Sequence, residues 1–127
     1  MRPIRVLLVD DEMELVSTLA ERLSLRGMEA QWMTSAVDTM NRMDICSFDI
    51  AVLDVKLPKM SGIELKKKLQ EKCPEMKFIF LTGHGSGADF AAGAAAAGDM
   101  FYLVKPVRID TLIEKINQAL HLRGALE

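Results

Sequence analysis

The sequence lacks a long apolar run, a signal peptide and an excess of basic charge. Its 127 residues include 16 Lys and Arg against 18 Asp and Glu, which gives a formal net charge of −2. This balance argues against phosphate-backbone binding, which needs a concentrated basic face. No apolar stretch approaches the roughly 20 residues that span a bilayer, and no apolar core with a small-residue cleavage site begins the chain. We therefore expect a cytoplasmic protein that binds neither nucleic acid nor membrane directly.

Cysteine is also scarce, and its spacing is uninformative. Cys46 and Cys73 form no CxxC pair and have no histidine at ligand spacing, so neither a zinc site nor a redox motif is indicated. We expect both to be reduced, unpaired thiols. With 50% hydrophobic residues, the chain can form a core without metal or disulfide support. We expect one domain over residues 1–127, with a core of about 4–122 and with residues 126–127 as a candidate cloning remnant.

Short apolar runs alternate with amphipathic stretches along the chain. The predicted strands are residues 5–9, 28–32, 50–53, 78–81 and 100–104. The predicted helices include one that Gly27 ends, one that Ser35 opens and that extends to Met43, and one that begins with the capping box at Ser61. Five such strand–helix units predict an α/β fold, a doubly wound parallel sheet with helices on both faces.

Chemically capable side chains follow four of the five predicted strands. They are Asp10 and Asp11, Asp54, Thr82 and Lys105. In a parallel sheet these strand ends share one edge, where ligands bind at a topological switch point. Three carboxylates at such an edge repel one another by about 4 kcal/mol per pair at 4 Å. We therefore expect a hard divalent cation, Mg²⁺ above all, to bind among them.

Each of these residues also has an ordinary structural explanation. Asp11 or Glu12 can complement the dipole of the first helix, and Asp54 can bond the turn that follows its strand. Thr82 is a common strand-end residue, and Lys105 can be a solvated loop lysine. These explanations are independent, so their joint occurrence on one sheet edge favours a functional site.

The chain resembles the response-regulator receiver domain, the phosphorylatable module of bacterial two-component signalling. The matching stretches are VLLVDDE at 6–12, VLDVKLPKMSGIE at 52–64, FLTGHGS at 80–86 and YLVKP at 102–106. The resemblance covers about residues 4–122. It implies a five-stranded flavodoxin-like (βα)5 three-layer sandwich of strand order 2-1-3-4-5, with the site above strands 1 and 3.

The resemblance also implies a role for each site residue. Asp54 would accept the phosphoryl group, and Thr82 and Lys105 would bind its oxygens. The implied Mg²⁺ ligands are Asp10, Asp11, Asp54 and the backbone carbonyl of Lys56. The domain would then be a signalling switch that catalyses only its own phosphorylation and dephosphorylation.

The same resemblance implies a conformational switch and its partners. Thr82 and Tyr102 would be the switch pair, while Gly83, His84 and Pro106 would flank the site. The partners would be a sensor histidine kinase, which phosphorylates the domain, and an effector domain or protein, which reads the face of the fourth helix, fifth strand and fifth helix. A homodimer through that face is also expected.

Two features depart from the family pattern or leave alternatives open. Residues 88–98 consist almost wholly of Ala and Gly, so we hypothesise that the fourth helix is short, mobile or covered by a partner. Residues 83–88 also fit the G-x-G-x-x-A pattern of dinucleotide-binding enzymes, but no acidic residue follows at the required spacing.

Besides a phosphorylated receiver and a dinucleotide-binding enzyme, a third alternative is a receiver-like interaction module that is never phosphorylated. No site residue of the family is missing, however. We expect no output domain within these 127 residues, and hence either a single-domain regulator or a receiver excised from a larger one.

Overall fold

The computed structural model describes residues 2–83 and 101–124, and of residues 122–124 the backbone only. It contains a five-stranded parallel sheet. The strands are β1 (Arg5–Val9), β2 (Glu29–Met33), β3 (Ile50–Asp54), β4 (Lys77–Thr82) and β5 (Tyr102–Val104). Their order is β2-β1-β3-β4-β5, with every neighbouring pair parallel. This confirms the predicted α/β class, the doubly wound sheet and the strand order.

Helices cover both faces of the sheet. They are α1 (Met13–Ser24), α2 (Ala36–Met40), α3 (Gly62–Lys72) and a C-terminal helix (Ile109–Gly124), with a 3₁₀ turn at Ile45–Ser47. Alternate strand residues enter two separate cores: Leu7 packs toward α2 and α3, whereas Leu8 packs toward α1 and the C-terminal helix. Because strand side chains alternate between faces, a run of apolar residues such as Val6 to Val9 of β1 contributes side chains to both cores.

Local signals set most helix boundaries. The hydroxyl oxygens of Ser35 and Ser61 accept bonds from the third backbone N–H beyond them, at 3.2 and 3.1 Å, and so cap α2 and α3 as predicted. Gly27 follows α1 with φ +88°, a conformation that favours glycine.

The predicted extent of the second helix was wrong. It ends at Met40, and the side chain of Met43 is fully exposed. Its helical spacing therefore did not correspond to a buried face.

The prediction of two free thiols was also wrong. Cys46 lies in the 3₁₀ turn before β3, Cys73 caps the C-terminal end of α3, and the two form a disulfide with a Cα–Cα distance of 5.3 Å. That separation is normal for a disulfide. The sequence could not show it because the two cysteines are 27 positions apart and meet only when α3 packs back on the sheet.

We expect reduction of the Cys46–Cys73 disulfide to lower the free energy of unfolding by about 3 kcal/mol, because the bond restricts a loop of intermediate length in the unfolded chain. Urea unfolding with and without a dithiol reductant measures the difference. The C46S/C73S double variant is the control, since its unfolding should not respond to the reductant. Equal midpoints for the oxidised and reduced wild-type protein would contradict this expectation.

Candidate functional site

The sheet brings the predicted site residues to one edge. In register, Val9 of β1 pairs with Leu53 of β3, and Asp54 of β3 pairs with Leu81 of β4. Thr82 of β4 pairs with Val104 of β5. The residues that end or follow these strands are therefore neighbours in space although they are far apart in sequence.

Three carboxylates form the centre of this edge. Oxygens of Asp10, Asp11 and Asp54 lie within 4.8 Å of one another, and Asp10 and Asp54 are buried. Two of these carboxylates accept local backbone bonds, since Glu12 N–H donates to Asp10 at 2.9 Å and Lys56 N–H donates to Asp54 at 3.3 Å. Three carboxylates this close together, two of them buried, fit a hard divalent cation such as Mg²⁺.

Lys105 supplies the positive charge at this cluster. Its Nζ lies 2.7 Å from Asp10 Oδ2, 2.9 Å from Glu12 Oε1 and 3.6 Å from Asp54 Oδ2. Backbone bonds hold it in place, because Lys105 N–H donates to the Thr82 carbonyl at 2.7 Å. The peptide bond from Lys105 to Pro106 is cis. The lysine is thus directed at the carboxylates by the ends of β4 and β5 together.

Burial and neighbouring charges shift the protonation equilibria of this site. Burial first, and then the negative charge of Asp10, raise the pKa of Asp54 to about 6, while Lys105 opposes the rise. Burial by itself lowers the pKa of Lys105, but the bonds to Asp10 and Glu12 outweigh it, so the net shift is upward. At neutral pH Asp54 is therefore mostly ionised and Lys105 is charged.

The predicted switch pair, Thr82 and Tyr102, lies on β4 and β5, the two strands whose ends position Lys105. Thr82 ends β4 with 3% of its surface exposed. Tyr102 begins β5, pairs with Phe80 and belongs to the core that faces α2 and α3. It is therefore largely buried rather than an exposed aromatic at the sheet edge. The switching role of both residues stays a prediction.

The flanking positions are only partly described. Gly83 is exposed directly after β4, and Pro106 follows Lys105. His84, the rest of the glycine pattern at 83–88 and the Ala/Gly-rich segment 88–98 lie outside the described residues. The roles predicted for them stay predictions, as does the metal-ligand role of the Lys56 carbonyl.

Two contacts at the site were missed by the sequence reasoning. Glu12 was explained by the dipole of the first helix, yet its side chain pairs with Lys105. Gly62 was not singled out within the capping box that begins at Ser61, yet a Cβ at this position would clash with the Asp54 carbonyl oxygen. A glycine in the first turn of a helix, where other residues are better helix formers, was the one signal available for Gly62.

Comparison with known proteins agrees with this geometry. The profile of the response regulator receiver domain family matches residues 6–117. The transcriptional regulatory protein GlrR of Escherichia coli is 33% identical over 119 residues, covering 94% of this chain and 27% of GlrR. The curated relatives first matched are longer, and this chain spans between about a quarter and about half of their length.

Solved receiver structures have the same fold. A CheY-like receiver domain from Methanospirillum hungatei is 30% identical with a TM-score of 0.81, and the match covers 98% of this chain and 99% of that one. The BeF3-activated receiver domain of DrrB is 28% identical with a TM-score of 0.80, covering 94% of this chain and 98% of that one.

Among the helices that the structure describes, none has the length and apolar character of a membrane span.

We expect Mg²⁺ affinity to fall about tenfold between pH 7.5 and pH 5, because a proton on Asp54, whose pKa is about 6, competes with the ion. Titration calorimetry at several pH values measures the trend. D54N is the control and should bind Mg²⁺ weakly, without this dependence. An affinity that is constant over the range would show that Asp54 is not a ligand.

Replacing Gly62 by alanine should lower the free energy of unfolding by about 1–3 kcal/mol, because the added Cβ forces the backbone of Asp54 or of α3 to shift. Thermal or urea unfolding measures the loss. The matched control is G83A, where a Cβ meets no atom within 4 Å. Equal stabilities for G62A and G83A would argue against close packing of α3 on Asp54.

Proposed function

Because the chain belongs to the response regulator receiver domain family, we propose that it accepts a phosphoryl group on Asp54 from a sensor histidine kinase. Receiver domains are the signalling switches of two-component systems. The observation that carries the proposal is the cluster in which the buried carboxylate of Asp54 lies within 4.8 Å of two further aspartates and 3.6 Å from the ammonium of Lys105. Residues of about 4–122 would form this receiver as one domain.

The proposed reaction is an in-line displacement at phosphorus. A carboxylate oxygen of Asp54 attacks, the bond between phosphorus and the histidine nitrogen of the kinase breaks, and the histidine recovers its electron pair. At neutral pH the carboxylate is mostly ionised and so has the electron pair it needs. Lys105 Nζ, 3.6 Å from Asp54 Oδ2, can donate to a phosphoryl oxygen after little movement.

The three aspartates would hold Mg²⁺, with the Lys56 carbonyl as a further ligand. The bound ion would neutralise negative charge on the transferring group. Asp10 and Asp54 suit this role because they are buried and their charges repel one another without a cation. The hydroxyl of Thr82, at the end of the neighbouring strand, would donate a hydrogen bond to a second phosphoryl oxygen.

The product, an acyl phosphate, would make the signal temporary. Water can cleave this mixed anhydride, which restores the Asp54 carboxylate and releases phosphate. Because the group adds negative charge and acceptor oxygens beside Thr82, it would draw the hydroxyl toward the site. Tyr102, two positions before the β5 residue that pairs with Thr82, would then move into the vacated space.

This movement would change the surface formed by the fourth helix, β5 and the C-terminal helix. An output domain, a separate effector or a second copy of the chain would read that surface. Relatives named as transcriptional regulatory proteins, which are about two to four times longer than the match, support an output domain as the reader.

Incubation with Mg²⁺ and acetyl phosphate should add one labile phosphoryl group to the protein. Intact mass and mobility in a phosphate-affinity gel measure it. D54N and a chelator are the controls, and both should abolish the modification, because one removes the nucleophile and the other the metal. A folded protein that binds Mg²⁺ but is modified by neither acetyl phosphate nor a kinase would favour an interaction module instead.

A further inference from the structure

The side chain of Glu12 pairs with Lys105 at the candidate site and does not cap the helix that follows it. Glu12 occupies the N-cap position of α1, where a side chain usually accepts from the first turn, yet it makes no such bond. Ser35 and Ser61 do cap their helices. Glu12 Oε1 instead lies 2.9 Å from the Nζ of Lys105, 93 positions away in the sequence.

The two close partners of Lys105 differ in their exposure to water. An ammonium has three donors, and in this structure Asp10 and Glu12 are its near acceptors while Asp54 lies farther away. The Asp10 side chain is fully buried, whereas that of Glu12 is 61% exposed. Water can solvate Glu12 when Lys105 leaves it, but no water can replace the lysine at Asp10 without a large cost. Glu12 is therefore the partner that Lys105 can exchange.

Glu12 and Lys105 also line one cavity together. Glu12, Lys105 and Pro106 border a cavity of about 520 Å³ together with Leu15 and Gly83. A phosphoryl group that engages Lys105 would meet the carboxylate of Glu12 beside the same ammonium. Two anions then compete for one lysine.

We propose that Glu12 is a positioning residue that competes with the incoming phosphoryl group for Lys105. It holds the ammonium in the unphosphorylated protein, and it must be exchanged for a phosphoryl oxygen when Asp54 is modified. Glu12 thereby lowers the affinity of the site for the phosphoryl group and biases the switch toward its inactive form. This inference rests on the function proposed above for Asp54 and Lys105.

Beryllofluoride, which binds a carboxylate in the geometry of a phosphoryl group, tests the proposal without turnover. Its affinity is measured by calorimetry for the wild type, E12Q, E12D and E14Q, at Mg²⁺ concentrations that saturate each protein. E12Q removes the charge, and E12D keeps the charge but shortens the side chain by one methylene. E14Q is the matched control, because Glu14 is an exposed acid in the first turn of the same helix. Thermal unfolding without ligand checks that each variant is folded.

We expect E12Q and E12D to bind beryllofluoride about two- to fivefold more tightly than the wild type, the gain typical of losing one exposed ion pair. E14Q should bind like the wild type. If E12Q binds more tightly but E12D does not, the charge acts through space and the competition for Lys105 is wrong. Unchanged or weaker binding by E12Q also overturns it.

The two proposals can fail separately. A wild-type protein that binds beryllofluoride normally while E12Q matches it overturns the role of Glu12 alone. A wild-type protein that binds Mg²⁺ but no beryllofluoride overturns the phosphorylation of Asp54, and the role of Glu12 with it.

Discussion

The ion pairs of Lys105 balance the charges at the carboxyl edge of the sheet. Asp10 is fully buried and Asp54 nearly so, and two buried carboxylates at this distance repel one another unless a cation intervenes. Lys105 follows β5, the outermost strand, and its side chain reaches both carboxylates. It can do so because β5 ends beside β4 and β4 ends beside β3. A shift of register by one residue would turn these side chains to the opposite face and leave the carboxylates without their cation.

The rest of the fold keeps this edge in place. Each central strand contributes alternate residues to two cores, so the sheet is fixed from both faces. α3 is held at both ends: Gly62 lies directly on the Asp54 backbone, and Cys73 is bonded to the turn that precedes β3. The segment that bears Asp54 is thus bounded by two contacts that only close packing provides. Such a support suits the role proposed for Asp54, because a small rearrangement there would then be transmitted rather than absorbed locally.

Sequence reasoning succeeded where a pattern has one physical meaning. Apolar runs that end in Asp10, Asp54, Thr82 and Lys105 predicted both the parallel sheet and the edge at which these residues meet. It failed where a pattern has several. The spacing of Met40 and Met43 fits a helix, but a methionine can equally lie in solvent beyond the helix end, and Met43 does so. A glutamate directly before a helix, such as Glu12, is a reasonable partner for the helix dipole. No residue near it in the sequence indicates that it forms an ion pair with Lys105.

The sequence by itself determined the succession of strands and helices along the chain, the two serine caps and the identity of the residues at the carboxyl edge of the sheet. These features depend on neighbours within a few positions. Tertiary structure alone decided three further features. These are the pairing of Cys46 with Cys73, the contact of Gly62 with the Asp54 backbone and the sharing of Lys105 between Asp10 and Glu12. Each joins atoms from different elements at distances of a few Å, and such distances are set by how helices pack on the sheet. No periodicity or spacing along the chain encodes them.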